Sequence, residues 1–174
     1  MDDERFESAW SAYGPAVLRY CTYSIGSSDA GEDVAAETFA RFLAKGDRVP
    51  AEHTEAWLIR VARNLCATHH RTAKRRGALE ARLGGLYAER AGGWHDSGTW
   101  EYVRRLNEAS RLVIYLRIAE DRPFAEIARL TGRSESATKM AFYRAIDRLR
   151  EQMASDDAGA DVMIGGGVES VSAE

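Results

Sequence analysis

The 174-residue chain holds two cysteines and nowhere approaches eighteen consecutive apolar residues. A run of that length is what a membrane-spanning helix requires, so no membrane insertion is expected. The N-terminus, MDDERFESAW, is acidic where a secretory leader would be basic and then apolar. A cytoplasmic protein is therefore expected. Cys21 and Cys66 each stand on a helical pattern with no partner at metal-ligand spacing, and read as small buried apolar residues, with neither a zinc site nor a disulfide predicted. His53, His69, His70 and His95 lack the HExxH or paired-carboxylate spacing that holds a metal or moves protons. His69 and His70 are adjacent and on a helix would point about 100° apart. No catalytic residue, metal or cofactor is predicted.

Positive charge is absent after Arg150, and the charge is segregated along the chain. Residues 1–55 carry 5 Lys/Arg against 11 Asp/Glu, residues 56–90 carry 8 against 2, residues 91–150 carry 11 against 8, and residues 151–174 carry 0 against 6. The net charge of −3 hides a basic middle that can attract phosphate locally, since the attraction depends on the patch rather than the total.

The most informative stretch is PFAEIARLTGRSESATKMAFYRAIDRLREQM, from Pro123 to Met153. Phe124, Ile127, Ala128 and Leu130 recur at helical spacing, and Gly132 stands where a helix can end on a left-handed residue. Ser134 is a good N-cap and Glu135 suits the positive end of the next helix. Along that second helix Thr138, Phe142, Ala145 and Leu149 form an inward stripe, leaving Lys139, Met140, Tyr143, Arg144 and Asp147 on other faces. The pattern is that of a helix-turn-helix whose second helix can enter a DNA major groove; a plain helical hairpin has the same spacing.

Upstream, residues 5–23 fit an apolar-striped helix with a break or bend near Gly14-Pro15. A loop follows, then an amphipathic helix from Ala30 to Leu43 that is acidic at its start. Lys45 to Glu55 is polar, with Gly and Pro, and reads as a loop. Ala56 to Arg76 is a helix with an apolar stripe through Trp57, Leu58, Val61, Leu65 and Cys66 and basic groups mostly off it. Residues 77–99, with paired glycines, read as a linker, residues 100–119 as one further helix, and 154–174 as an acidic, disordered tail. The expectation is an all-α chain of two small helical domains, 1–76 and 100–153, joined by a flexible linker, the second a helix-turn-helix.

The order of GEDVAAETFARFL at 31–43, AWLIRVARNLCATHHRTAKRR at 56–76 and the long motif at 106–150 resembles the extracytoplasmic-function group of bacterial RNA polymerase sigma factors. That resemblance implies a non-enzymatic protein that binds core RNA polymerase and promoter DNA, with room for an anti-sigma factor. By position it implies polymerase contacts at Asp33, Glu37, Thr38 and Phe39, where a carboxylate pair beside an exposed aromatic would suit a charged helical partner. Phe39 reads equally well as core. It implies minus-ten contacts at Arg60, Arg63 and Asn64, phosphate contacts at Arg71, Lys74 and Arg75, and capture of a flipped base by the loop Lys45 to His53. Trp57 could stack on a base, although its place on the apolar stripe favours core. Minus-thirty-five contacts fall on Ser134, Glu135, Lys139, Met140, Tyr143 and Arg144. Thr131, Arg133 and Thr138 stand where the family commonly has buried aliphatics, Asn107 replaces a common proline and Ala36 a common glutamine. The competing readings are a helix-turn-helix regulator that does not bind polymerase, and an adaptor with no DNA contact.

Overall fold

The computed structural model describes residues 2–82 and 99–165, and every regular element among them is helical. Helix α1 spans Asp3–Ile25, opened by the Asp2 carboxylate accepting from the Arg5 amide at 2.8 Å. Of the break or bend expected at Gly14-Pro15, the break does not occur: Pro15 lies inside a continuous helix. Proline removes its own N–H from the ladder and crowds the carbonyl four residues back, a local cost that α1 absorbs without ending. The neighbouring glycine leaves space for Trp10, whose ring would stand 3.4 Å from a Cβ at Gly14.

Helix α2, Ser28–Lys45, starts on a Ser27 N-cap and lies against α1. The two backbones come close at Gly31, where a Cβ would stand 2.7 Å from the Thr22 Cα. Two short 3-10 turns, Gly46–Arg48 and Ala51–His53, occupy the expected loop. Helix α3, Thr54–Arg82, then runs through the predicted domain boundary at residue 76. The rest of the proposed linker, residues 83–98, lies outside the described residues, as does His95.

The single helix expected over 100–119 is divided. Helix α4, Thr99–Arg105, ends before Asn107, whose side chain accepts from the Ser110 amide at 3.0 Å and so caps α5, Glu108–Ile114. The chain continues into a π-helical turn, Tyr115–Ala119, closed by the Glu120 amide on the Tyr115 carbonyl at 3.2 Å. Helices α6, Phe124–Thr131, and α7, Glu135–Gly165, complete the chain. Gly132 joins them at φ 68° and ψ 33°, the left-handed conformation a glycine adopts without a Cβ penalty. Helix α7 continues beyond Met153, where the sequence suggested a disordered tail, and Asp156 pairs with Arg105 of α4 at 2.9 Å. Residues 166–174 lie outside the described residues.

The apolar stripes meet in one main core. Val17, Tyr20 and Cys21 of α1, Phe39 and Phe42 of α2, and Leu58, Ala62 and Cys66 of α3 share it with Leu112, Val113, Leu116, Ile127 and Leu130 from the C-terminal half. A smaller cluster joins Val103, Leu106 and Ile114 to Ala145 and Leu149. The two domains are thus packed face to face. Cys21 and Cys66, read as isolated, lie side by side and fully buried, and the neighbouring Cys66 thiol together with burial pushes the Cys21 thiol far above its ordinary value.

Candidate nucleic-acid interface

The helix-turn-helix is built as its spacing suggests. The Ser134 hydroxyl accepts from the Ala137 amide at 3.2 Å, capping α7 at the end where a recognition helix would meet DNA. Thr138, Ala145 and Leu149 are buried, and Phe142 packs edge-on against Phe124 with ring centroids 5.4 Å apart. The polar substitutions are accommodated locally. Thr138 is fully buried, but its hydroxyl donates to the Ser134 carbonyl at 3.0 Å, and Thr131 donates to Ile127 at 2.7 Å, while Arg133 is exposed. Neither hydroxyl is left as an unpaired donor.

Outward from that core stand Met140 and Tyr143, 52% and 58% exposed, with Glu135, Lys139 and Arg144 exposed beside them. Lys139 is held by Glu135 at 2.7 Å and lies over the Phe124 ring. The Glu135 carboxylate raises the Lys139 ammonium above its ordinary value, so this side chain keeps its charge. Arg144 enters no ion pair among the described residues and is free to meet a phosphate or a base edge.

The basic residues of α3 divide between two places. Arg60 and Arg63 line a cavity of about 580 Å³, together with Lys45, Arg48 and His53 of the preceding loop. Asn64 is exposed one residue on and receives a long 3.4 Å hydrogen bond from Arg63. Arg71, Lys74 and Arg75 lie on the exposed second half of the helix; Arg71 is steadied by Thr68 at 2.9 Å. From Arg60 to Arg75 is about 22 Å at 1.5 Å per residue, so the surface is a track rather than a point. Trp57 is partly buried against Phe42, with centroids 5.7 Å apart, and also lines the cavity. It belongs to the core on one side and to the basic cavity on the other.

Two of the four residues expected to meet a partner on α2 are in the interior. Thr38 is fully buried with its hydroxyl bonded to the Val34 carbonyl at 2.8 Å, and Phe39 is 2% exposed beneath Trp10, with ring centroids 4.7 Å apart. Positions 35, 38, 39 and 42 form the face of α2 turned to the core, which leaves Asp33 and Glu37 outside. Glu37 is paired with Arg41 at 2.7 Å. Large apolar groups do remain exposed nearby, Leu43 at 48% on α2 and Trp10 at 50% on α1.

The model of sigma-70 region 2 matches residues 9–76, and that of sigma-70 region 4 matches residues 99–149. The extracytoplasmic-function RNA polymerase sigma factor BldN of Streptomyces coelicolor is 30% identical over 167 residues. The chain belongs to the sigma-70 family, in its extracytoplasmic-function group. The alignment takes in 89% of this chain but 62% of the BldN sequence, so this sigma chain spans less than two thirds of that relative's length. The fold agrees with that of the sigma factor RpoE of Bartonella quintana, solved in a co-crystal with the anti-sigma factor NepR. The TM-score is 0.61 over 87% of this chain and 98% of that one, at 21% identity.

Sequence reading of this sigma chain missed a polar cluster between its two regions. Arg111 is 6% exposed and reaches the Ser24 carbonyl and hydroxyl, each at 3.0 Å, and the Arg104 and Leu106 carbonyls, each at 2.9 Å. It also bonds His70 and pairs with Glu108 at 3.3 Å. Glu108 in turn accepts from the Tyr20 hydroxyl at 2.5 Å and Ser24 at 3.1 Å. Burial, with the Glu108 charge beside it, raises Tyr20 well above its ordinary value and keeps it a donor. The signal was present as an arginine heading the apolar run Leu112 to Leu116. A charge so placed is either exposed or paired, and here both terminal nitrogens of Arg111 are paired while its Nε is not. Of the histidines, His53 lines the cavity, while His69 and His70 have centroids 6.0 Å apart with rings nearly perpendicular. No three His, Cys, Asp or Glu side chains converge on a metal-sized site among the described residues.

Proposed function

We propose that this chain is a transcription initiation factor that docks on core RNA polymerase through α1 and α2 and directs it to promoters. Helix α3 and its preceding loop take the minus-ten element, and α7 reads the minus-thirty-five element in the duplex. The protein acts by binding, without catalysis of its own. What carries the reading is the presence in one chain of a basic helix beside a basic, Trp57-lined cavity and a capped recognition helix with an exposed outer face. A helix-turn-helix regulator accounts for the second feature and leaves the first without a role.

On the polymerase side, Asp33 and Glu37 supply the charge, while Leu43 and Trp10 supply the apolar anchor that Phe39, being buried, does not. Arg60, Arg63 and Asn64 face the melted strand, with Arg71, Lys74 and Arg75 on its phosphates. Ser134, Glu135, Lys139, Met140, Tyr143 and Arg144 form the duplex-facing surface. An anti-sigma factor, such as the one bound to the RpoE neighbour, is a further partner in this reading. The test is transcription in vitro with core polymerase over a pool of promoter fragments. Initiation at a defined subset supports the proposal, and binding to DNA with no effect on core polymerase points to the regulator instead.

A further inference from the structure

The cavity of about 580 Å³ beside α3 combines two chemistries. Its walls are cationic: Arg60 and Arg63 come from α3, Lys45 and Arg48 from the loop before it, and Arg129 from α6. No carboxylate lines it among the described residues. Lys45, Arg48, Arg60 and Arg63 enter no ion pair among those residues, while Arg129 is held by Glu55 at 3.3 Å. Cations gathered in a cleft without counter-ions focus a positive potential that an anion relieves. The loop that carries two of them is anchored, since the Val49 carbonyl accepts from Arg5 of α1 and the Val49 amide donates to the Gly46 carbonyl at 2.9 Å. The floor is apolar, with Trp57 and Ile59 of α3, Leu112 of α5 and Leu130 of α6.

Trp57, Arg60 and Arg63 follow one another along α3 over a rise of about 9 Å, so an aromatic ring and two guanidinium groups border the cavity on successive turns. A strand laid along α3 uses this edge and leaves the wall from Arg129 to Gly132 without a role. A compact ligand seated between the walls uses both. We propose that the cavity binds a nucleoside polyphosphate, its base against Trp57 and its phosphates among Arg48, Arg60, Arg63 and Arg129. The size fits, because pockets for small ligands run from roughly 300 to 1,000 Å³. A base offers a flat π-face to the indole and phosphates offer acceptors to the guanidinium forks, a pairing that neither an apolar molecule nor a bare anion satisfies. So placed, the ligand occupies Arg60 and Arg63; the consequence that it competes with the minus-ten strand rests on the proposed function, whereas the site itself does not.

The test is calorimetric titration of the full chain with ATP, GTP, CTP and UTP and, in parallel, with inorganic triphosphate, the matching nucleosides and a short single-stranded DNA. Core polymerase is left out, because nucleoside triphosphates are its substrates. At least one nucleoside triphosphate should bind one-to-one with a Kd on the order of 10 μM, and about ten-fold or more tightly than inorganic triphosphate or its own nucleoside. Arg48→Gln, at an exposed side chain, and Trp57→Leu should each weaken that binding about ten-fold. Arg129→Gln should weaken it about three-fold, less because Glu55 already holds that guanidinium. Circular dichroism confirms that each variant is folded, and Arg48→Gln, on the surface loop, keeps the test open should Trp57→Leu unfold. Inorganic triphosphate binding as tightly as the nucleotides reduces the cavity to an anion patch and overturns the proposal. Single-stranded DNA binding where no nucleoside triphosphate does, or nucleotide affinity unchanged in the folded variants, overturns it too. Should a nucleotide bind as described while the chain has no effect on core polymerase in transcription, the site stands and the proposed function fails; transcription by a chain that binds no nucleotide gives the reverse.

Discussion

Arg111 of α5 donates to both the main-chain carbonyl and the hydroxyl of Ser24 on α1, each bond 3.0 Å long, across 87 residues of sequence. Its charge is almost wholly out of water, and only the ring of acceptors around it makes that burial tolerable.

Arg111→Ala should therefore cost about 3–5 kcal/mol of stability, because it breaks a buried network and leaves the partly buried Glu108 carboxylate without its cation. A shift of the urea midpoint, read by circular dichroism, measures it. A loss below about 1 kcal/mol would mean that water reaches the cluster.

His70 supplies a pH dependence. Burial first, and then the charges of Arg111 and His69, lower its imidazole to about 4, although the Glu108 carboxylate lies 3.9 Å from its Nε2. The folded chain thus binds fewer protons than the unfolded chain between about pH 6.5 and 4, so this group's contribution is present above pH 6.5 and is lost as the pH falls through that window. Carboxylates titrate there too, so the measurement is a difference. The stability of His70→Gln should fall less between pH 7 and pH 4.5 than that of the wild type.

Gly31→Ala should lose about 1–3 kcal/mol, since the added methyl meets the Thr22 backbone rather than a flexible side chain. Gly77, also helical, has no atom within 4 Å of a built Cβ, and alanine there should be neutral or stabilising. Thermal melts of the two variants, which differ only in position, separate packing from propensity.

Glu37→Lys should weaken binding to core polymerase about ten-fold or more and leave the isolated fold unchanged, since the side chain is half exposed and its partner Arg41 is also at the surface. Surface-bound core enzyme titrated with the variant gives the affinity. Wild-type binding would remove α2 from the docking surface.

In the proposed reading of α7 as a recognition helix, Lys139 lies within the first turns, where such a helix would meet base edges, and Arg144 lies farther along. Lys139→Ala should cost about 1–3 kcal/mol at one base pair, whereas Arg144→Ala should weaken all upstream elements alike and reduce the salt slope by about one. Binding titrations over single-base variants at several salt concentrations distinguish the two.

Local chemistry was legible in the chain. Gly132 and Ser134 announce the turn because a left-handed residue and a hydroxyl cap are requirements of a few neighbouring atoms. The inward stripe of α7 follows from the helical period alone. Periodicity names a face and does not say what covers it. Phe39 and Leu43 both belong to α2, and only the position of α1 determined that the first is buried and the second exposed. The partners of Arg111, Glu108 and Glu55 were set by the fold, which brings acceptors and cations to them from helices far away in sequence. Burial of a charge is decided by the sum of its partners, and those partners come together only when α1, α3, α5 and α6 pack.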